Sequence, residues 1–248
     1  MKVIAVIPSR YGSSRFPGKP LKDICGKPMI WWVYNQVKKV SSIDEIIVAT
    51  DDERVYDVCI NYDINVMMTS KKHATPTDRL YEVSTKTDGD IYMFIGGDEP
   101  LIDPESIDRL VPKTEVPEMY VANAMTTIKT APEVIDFTNI KVVVNKDNIG
   151  LYTSRSPLPY PKGGLDFEYK KFVGIGAFSR KALDFYFHTP IGNMERIEEC
   201  DLMRFIENQI PIQFYEVNCR NISVDTPKDL EKVRELMAEK LRNNYLGN

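Results

Sequence analysis

Histidine is almost missing from this 248-residue sequence. Only His73 and His188 occur, which excludes a multi-histidine metal centre. Cysteine is scarce too: Cys25, Cys59, Cys200 and Cys219 lie far apart with no CxxC spacing. That argues against a disulfide frame or zinc site and for buried thiols in a reducing cytoplasm. No apolar run approaches the roughly 20 residues of a membrane helix. The opening residues 1–8 are too short, and lack the cleavage pattern, for a signal peptide. An excess of positive charge is absent as well. Lys and Arg number 32 against 36 Asp and Glu, a net charge of −4, which argues against broad binding to nucleic acid or anionic membrane. Two phosphate-binding patterns, GxxxxGK[ST] and GxGxxG, are not present. Neither is the DxDx[TV] aspartate pattern of a phosphatase, and Asp52 of the Asp51-Asp52 pair reads instead as a helix cap.

What is there begins with an uneven charge distribution. The first 27 residues carry Lys2, Arg10, Arg15, Lys19, Lys22 and Lys27 against one acid, Asp23. Residues 3–7 form a continuous, β-branched apolar run, which reads as a buried parallel strand. The run stops at Pro8, and a Gly/Pro/Ser-rich segment containing Arg10, Gly12, Ser13, Arg15, Gly18 and Lys19 follows. Arginine forks match phosphate oxygens, lysine adds a point charge, and glycines let the backbone approach an anion. A solvated basic loop is the equally open alternative.

Further strands are expected over 45–50, 65–69 and 91–95, with helices opening at Pro28, after Asp52, over 77–85 and from Asp103 or Pro104 to 111. Such alternation predicts a parallel sheet covered by helices, with ligands beyond the carboxyl ends of the strands. Later strands are expected over 120–128, 140–144, 150–153, 172–178 and 212–217. A proline-rich loop is expected over 157–164, one helix over 194–208, and a last helix opened by Asp225-Thr226-Pro227 and running to about 241. Repeats, low-complexity stretches and linkers are lacking, so one unit over 1–248 is expected. Asp98, in a Gly-Gly-Asp-Glu-Pro turn after a buried strand, is placed to hold Mg²⁺ against phosphate oxygens, or to serve the turn itself.

The segment Ile7-Pro8-Ser9-Arg10-Tyr11-Gly12-Ser13-Ser14-Arg15-Phe16-Pro17-Gly18-Lys19-Pro20-Leu21 resembles the N-terminal signature of the CMP-sugar synthetases, and most closely the CMP-KDO synthetase family. The resemblance continues in order through Gly26-Lys27-Pro28-Met29-Ile30, Val48-Ala49-Thr50-Asp51-Asp52, Thr77-Asp78-Arg79-Leu80, Gly97-Asp98-Glu99-Pro100, Tyr152-Thr153-Ser154-Arg155-Ser156-Pro157 and Val224-Asp225-Thr226-Pro227-Lys228-Asp229-Leu230. It implies the Rossmann-like three-layer α/β fold of nucleotide-diphospho-sugar transferases, with a mostly parallel sheet. The implied activity is Mg²⁺-dependent transfer of CMP from CTP to the anomeric hydroxyl of an acidic 3-deoxy-2-keto sugar, with release of pyrophosphate, in lipopolysaccharide or capsule biosynthesis.

By that resemblance, Arg10, Arg15 and Lys19 hold the triphosphate, with Lys19 on the α/β-phosphates. Pro8, Gly12, Ser13, Thr77 and Arg79 complete the nucleotide site. Lys19, Arg15 and Asp98 are the expected catalytic residues, and Asp98 and Asp225 the metal ligands. Arg155, Phe172, Glu198 and Asp201 face the acceptor, Arg155 on its carboxylate and Glu198 and Asp201 from one helix face. A homodimer is also implied, with 118–190 carrying most acceptor and dimer elements. The alternatives are structural: a helix cap for Asp225, a surface ion pair for Arg155, a solvated face for Glu198 and Asp201.

The sequence departs from the family pattern in two places. In the segment that reads cytosine, Pro76 stands for a glycine and lacks its N–H. Toward the acceptor, Gly96 stands for a glutamine placed near nucleotide and sugar, Phe172 for a histidine and Gly176 for a tyrosine. The acceptor-side changes remove hydrogen-bonding groups and point to KDO or a modified relative as acceptor, the alternative being a different acceptor on the same fold. A nucleotide-binding protein without turnover is the contrasting class, and the pair of metal carboxylates speaks against it.

Overall fold

The computed structural model describes residues 1–12, 16–164, 166–218 and 222–246. Strand β1 (Val3–Pro8) leads through residues 9–18 and a 3-10 turn at Lys19–Leu21 into the short hairpin β2 (Asp23–Ile24) and β3 (Lys27–Pro28), then helix α1 (Met29–Val37). There follow β4 (Glu45–Thr50), α2 (Glu53–Asn61), β5 (Val66–Met68), α3 (Pro76–Lys86), β6 (Ile91–Ile95) and α4 (Pro104–Asp108). The later half comprises β7 (Val121–Thr127), α5 (Ala131–Ile135), β8 (Lys141–Val144), β9 (Gly150–Ser154), β10 (Lys170–Ser179), α6 (Arg180–His188), α7 (Asn193–Glu198), α8 (Met203–Glu207), β11 (Gln213–Glu216) and α9 (Pro227–Leu246).

One sheet runs through both halves in the order β11-β7-β10-β6-β1-β4-β5, with β8 and β9 branching from β10. β1 pairs in parallel with β4 and β6, and β4 with β5. β10 runs antiparallel to both β6 and β7. The expected mostly parallel sheet is therefore present, with β10 as the inverted member of the main path.

Alternation along β1 explains the three layers. Val3, Ala5 and Ile7 point into one apolar cluster with Ile30 and Val33 of α1 and Val55 of α2. Ile4 and Val6 point into the other, with Leu80 of α3, Leu183 of α6 and Phe205 of α8. Each of these side chains except the small Ala5 contributes about 1.5–3 kcal/mol by burial. A third cluster joins Phe16, Ile24 and Met29 to Val224, Leu230 and Val233. It docks the start of α9 against the first loop, which brings the two ends of the chain together. Among the described residues, no helix is long and apolar enough to cross a membrane.

Local chemistry sets the helix starts. The Asp52 carboxylate accepts from the Arg54 amide at 3.0 Å, as a cap should. Thr75 and Asp78 close a capping box ahead of α3. Pro76 occupies the first turn there, where a missing N–H costs nothing, so this departure from the family pattern suits the helix.

The expected single helix over 194–208 is not formed. It divides into α7 and α8 at Glu199, whose φ is +47°. Glu198 ends α7 and Asp201 lies in the intervening turn, so the two do not share a helix face. The carboxylate of Asp201 is tied to Thr77 and that of Glu198 to β9, and these tertiary bonds override the helical periodicity. Helices α5 and α6 were not anticipated from the sequence.

Candidate active site

The site forms where β1 and β6 end. Gly97 allows these ends to meet: a Cβ there would lie 2.8 Å from the Pro8 carbonyl oxygen and 3.0 Å from the Ser9 hydroxyl. The Gly96 amide donates to the Gly174 carbonyl at 2.8 Å. Asp98 emerges from this tight crossing beside Lys19. The Lys19 Nζ donates to Asp98 Oδ2 at 2.8 Å and to Asp225 Oδ1 at 3.2 Å. Lys19 is 13% exposed and each aspartate 33%, so the three charges are sheltered yet reachable.

Asp225 is carried there by α9. The Val224 amide donates to the Asp98 carbonyl at 2.9 Å. The Asp229 carboxylate, in the first turn of α9, accepts from the Thr226 amide at 2.8 Å and the Asp225 amide at 3.2 Å. Thr226, one of the two expected caps, accepts in turn from the Asp229 amide at 3.3 Å, a reciprocal capping pair that leaves the Asp225 carboxylate turned toward Lys19.

The basic loop is closed at its neck. Gly18 donates its amide to the Tyr11 carbonyl at 2.8 Å. Its φ of +69° and the Tyr11 ring 3.1 Å from any Cβ make glycine the fitting residue. The Arg54 guanidinium covers the Tyr11 ring at 3.3 Å and is itself forked onto Asp52 at 2.9 and 2.7 Å. Pro8 is half-buried at the strand end, while Arg10 and Gly12 are exposed. Ser13 and Arg15 lie outside the described residues.

A cavity of about 1130 Å³ extends from this point. Its lining includes Arg10, Pro76, Thr77, Asp98 and Asp225 together with Asn123, Phe172, Glu195 and Asp201. Thr77 donates to Asp201 Oδ2 at 2.5 Å. Burial pushes the Asp201 carboxyl above its ordinary value, against the lowering effect of the Thr77 bond. Phe172 pairs with Met125 just before the irregularity in the pairing of β10 with β7 between Val173 and Gly176, and Gly174 lies within it.

Three expected contacts turn inward or away. Arg79 is 1% exposed and outside the cavity lining. Its guanidinium donates to Asp51 Oδ2 at 2.7 Å and to the Thr69 hydroxyl, locking α3 to the ends of β4 and β5. Arg155 donates from Nε to the Glu198 carbonyl at 2.8 Å, and from its terminal nitrogens to the carbonyls of Phe137 and Glu199 at 3.1 and 3.2 Å. It caps the carboxyl end of α7. The Glu198 carboxylate accepts from the Ser154 hydroxyl at 2.7 Å and the Arg155 amide at 2.8 Å. Neither lines the cavity, because both knit β9 to α7.

Sequence reading missed Asn123 and Glu195. Asn123 is a buried amide in the middle of β7, bonded to the Val173 carbonyl at 3.0 Å, and a Cβ on Gly176 would lie 3.1 Å from its Oδ1. A lone amide inside an apolar strand was the available signal. Glu195, in α7, is forked by Arg204 at 2.7 and 2.6 Å and lines the cavity. Among the described residues, no group of three or more His, Cys, Asp or Glu could hold a metal ion, so any ion here must draw ligands from substrate or water.

Residues 4–246 match the family model described as Cytidylyltransferase. The chain is 43% identical over 244 residues to the 3-deoxy-manno-octulosonate cytidylyltransferase of Escherichia coli, covering 98% of this chain and 99% of that one. It is 34% identical to the enzyme of that name from Christiangramia forsetii, covering 96% and 97%. Among solved structures, CMP:2-keto-3-deoxy-manno-octonic acid synthetase complexed with CTP superimposes with a TM-score of 0.91 at 42% identity, covering 97% of this chain and all of that one. The inositol-1-phosphate CTP transferase of T. maritima shares the fold at 13% identity and a TM-score of 0.69. With a family match over nearly its whole length and relatives above 30% identity, this chain belongs to the cytidylyltransferases, in the CMP-KDO synthetase family.

Proposed function

We propose that this enzyme transfers CMP from CTP to KDO with release of pyrophosphate. The observation that carries the reading is the convergence of Lys19, Asp98 and Asp225 at the mouth of a large cavity. The acceptor's anomeric oxygen forms a bond to the α-phosphorus, the α–β bridging bond breaks, and pyrophosphate leaves. Arg10, Arg15 and Lys19 orient the triphosphate and balance its charge, and such positioning is the main source of rate in phosphoryl transfer. Thr77 stays with the nucleotide, and Asp201 and the Phe172 wall bound the space left for the sugar.

Two converging carboxylates fit a Mg²⁺ ion, which commonly takes one or two carboxylates and completes its shell with phosphate oxygens and water. Asp98 and Asp225 would hold it. When bound, it would supply charge neutralisation at the phosphates.

A modified acceptor, expected from Phe172 and Gly176, is not favoured. The full-length relatives carry the name of KDO itself, and Gly176 faces Asn123 across the β7–β10 pair, so its lost side chain leaves room for that amide. A homodimer built on 118–190 is supported by exposed Ile135, Phe137 and Tyr160. The deciding experiment is pyrophosphate release with CTP and Mg²⁺ against a panel of 2-keto sugar acids. KDO is expected to be the best acceptor; release with another acid alone, or with none, overturns the reading.

A further inference from the structure

Lys19 sits where a phosphate-binding lysine is wanted, but in this structure its ammonium is given over to the two carboxylates. That pairing has a consequence for any cation that needs the same oxygens. Mg²⁺ binds at about 2.0–2.1 Å and tolerates little distortion. An ammonium at 2.8 and 3.2 Å from Asp98 and Asp225 fills the same concave position. Two cations cannot both take it, because their repulsion is strong in a sheltered site, and Lys19 is 13% exposed.

We infer that Lys19 is an internal counter-cation: it holds Asp98 and Asp225 together in the nucleotide-free enzyme and makes divalent-cation binding conditional on the nucleotide. This rests on the metal reading proposed above. A triphosphate arriving at the loop neck offers Lys19 a second anion, and its flexible four-carbon stem lets the ammonium swing to it. The carboxylates are then released to a divalent cation that the phosphates also hold. Without nucleotide, the cation must displace Lys19 with no anion supplied to receive it. The two binding events are therefore coupled, and linkage makes the coupling reciprocal. In this role Lys19 is a positioning residue for the metal ligands, separate from its contact with phosphate.

The test is Mn²⁺ binding to the full-length protein, read from the electron paramagnetic resonance signal of free Mn²⁺. Wild type without CTP is expected to bind weakly. Lys19→Met is expected to bind at least tenfold more tightly, Lys19→Arg to stay weak, and Lys19→Met combined with Asp98→Asn to lose the gain. Lys19→Gln reads the same quantity should the methionine variant fail to melt cooperatively. Water-proton relaxation enhancement, which separates protein-held Mn²⁺ from Mn²⁺ on free nucleotide, is expected to show wild type taking up the ion with CTP. Equal affinity of wild type and the uncharged variants without CTP overturns the inference, as does a gain that survives Asp98→Asn; a normal ternary complex in that case leaves the proposed function standing. Absence of Mn²⁺ from every form, the CTP complex included, overturns the metal reading and this inference with it.

Discussion

Two regions of this enzyme use the same charged residue types in opposite ways. At the carboxyl ends of β1 and β6, Lys19, Asp98 and Asp225 meet at a cavity mouth with part of their surface open. Around α3, α7 and α8, the pairs Arg79–Asp51 and Arg204–Glu195 are formed by arginines that are almost wholly buried. The first set is arranged to exchange partners with a ligand. The second is arranged to keep its partners, because a buried charge stripped of its counter-ion costs several kcal/mol. Both sets lie in or beside segments that resemble one family, so resemblance alone does not tell a binding residue from a structural one. Exposure and existing partners do.

The largest expected effect separates the regions most sharply. Asp98→Asn should lower kcat by roughly 10²–10³-fold, the size seen when one preorganised charge-stabilising group is removed. Unfolding midpoints in urea should move little, since the side chain is part-exposed. Activity above a tenth of wild type would break the comparison from the active side.

Arg79→Met is the counterpart. It leaves Asp51 without its partner inside the protein, and the expected loss is about 3–5 kcal/mol of stability by urea denaturation. The folded fraction should retain KM for CTP within about twofold. A selective rise in that KM would mean that Arg79 reaches the nucleotide after all.

The pH dependence of stability sharpens the contrast further. Burial alone would raise the Glu82 carboxyl, but bonds from Lys86, the Ser70 amide and His73 outweigh it and hold the group at about 2, against 4.5. A depressed carboxyl stabilises the fold above about 4.5, and that contribution disappears as pH falls toward 2. The contribution is at most about 3 kcal/mol, and Glu82→Gln should flatten the acid limb of a stability–pH curve. Asp201 has the opposite sign. Its carboxyl is raised by burial, so it costs stability once pH rises above 3.8, and Asp201→Asn should be more stable than wild type at pH 7 while binding acceptor less well.

How much of this was legible beforehand follows the same division. The strands over 45–50 and 91–95 were bounded correctly because short β-branched runs between polar turns have few other solutions. The break between α7 and α8 was not legible, since Glu199 and Asp201 are held by Arg155, just after β9, and Thr77 of α3, partners that no helical period encodes. The convergence of Lys19 with Asp225, 206 residues away, came from resemblance and not from spacing. The pairing of Arg79 was not legible either, because its partner Asp51 belongs to a different element, and a motif states which residues are present without stating which are already paired.

A smaller effect tests the loop neck. Arg54 is exposed, yet its guanidinium lies flat on Tyr11 and is fixed by Asp52. Arg54→Ala should loosen the neck and raise KM for CTP by roughly three- to fivefold with kcat unchanged, as loss of an exposed cation–π contact would. An unchanged KM would confine the basic loop's order to the Gly18–Tyr11 bond.

The smallest expected effect concerns Ser9, which joins the two kinds of region. It follows β1 directly, next to the active site, yet it is 2% exposed and its hydroxyl has no hydrogen-bond partner among the described residues. A buried hydroxyl left unpaired costs about 1–3 kcal/mol, and removing it recovers part of that. The gain is reduced by the small void left beneath Gly97, whose Cβ position lies 3.0 Å from the oxygen. Ser9→Ala is therefore expected to raise stability by about 1 kcal/mol in urea denaturation, with KM for CTP unaltered because Ser9 does not line the cavity. A loss of stability would mean that the hydroxyl is paired. A raised KM with stability unchanged would move Ser9 from the structural set to the ligand-facing one, and the boundary between the two regions would then lie one residue further into the strand end.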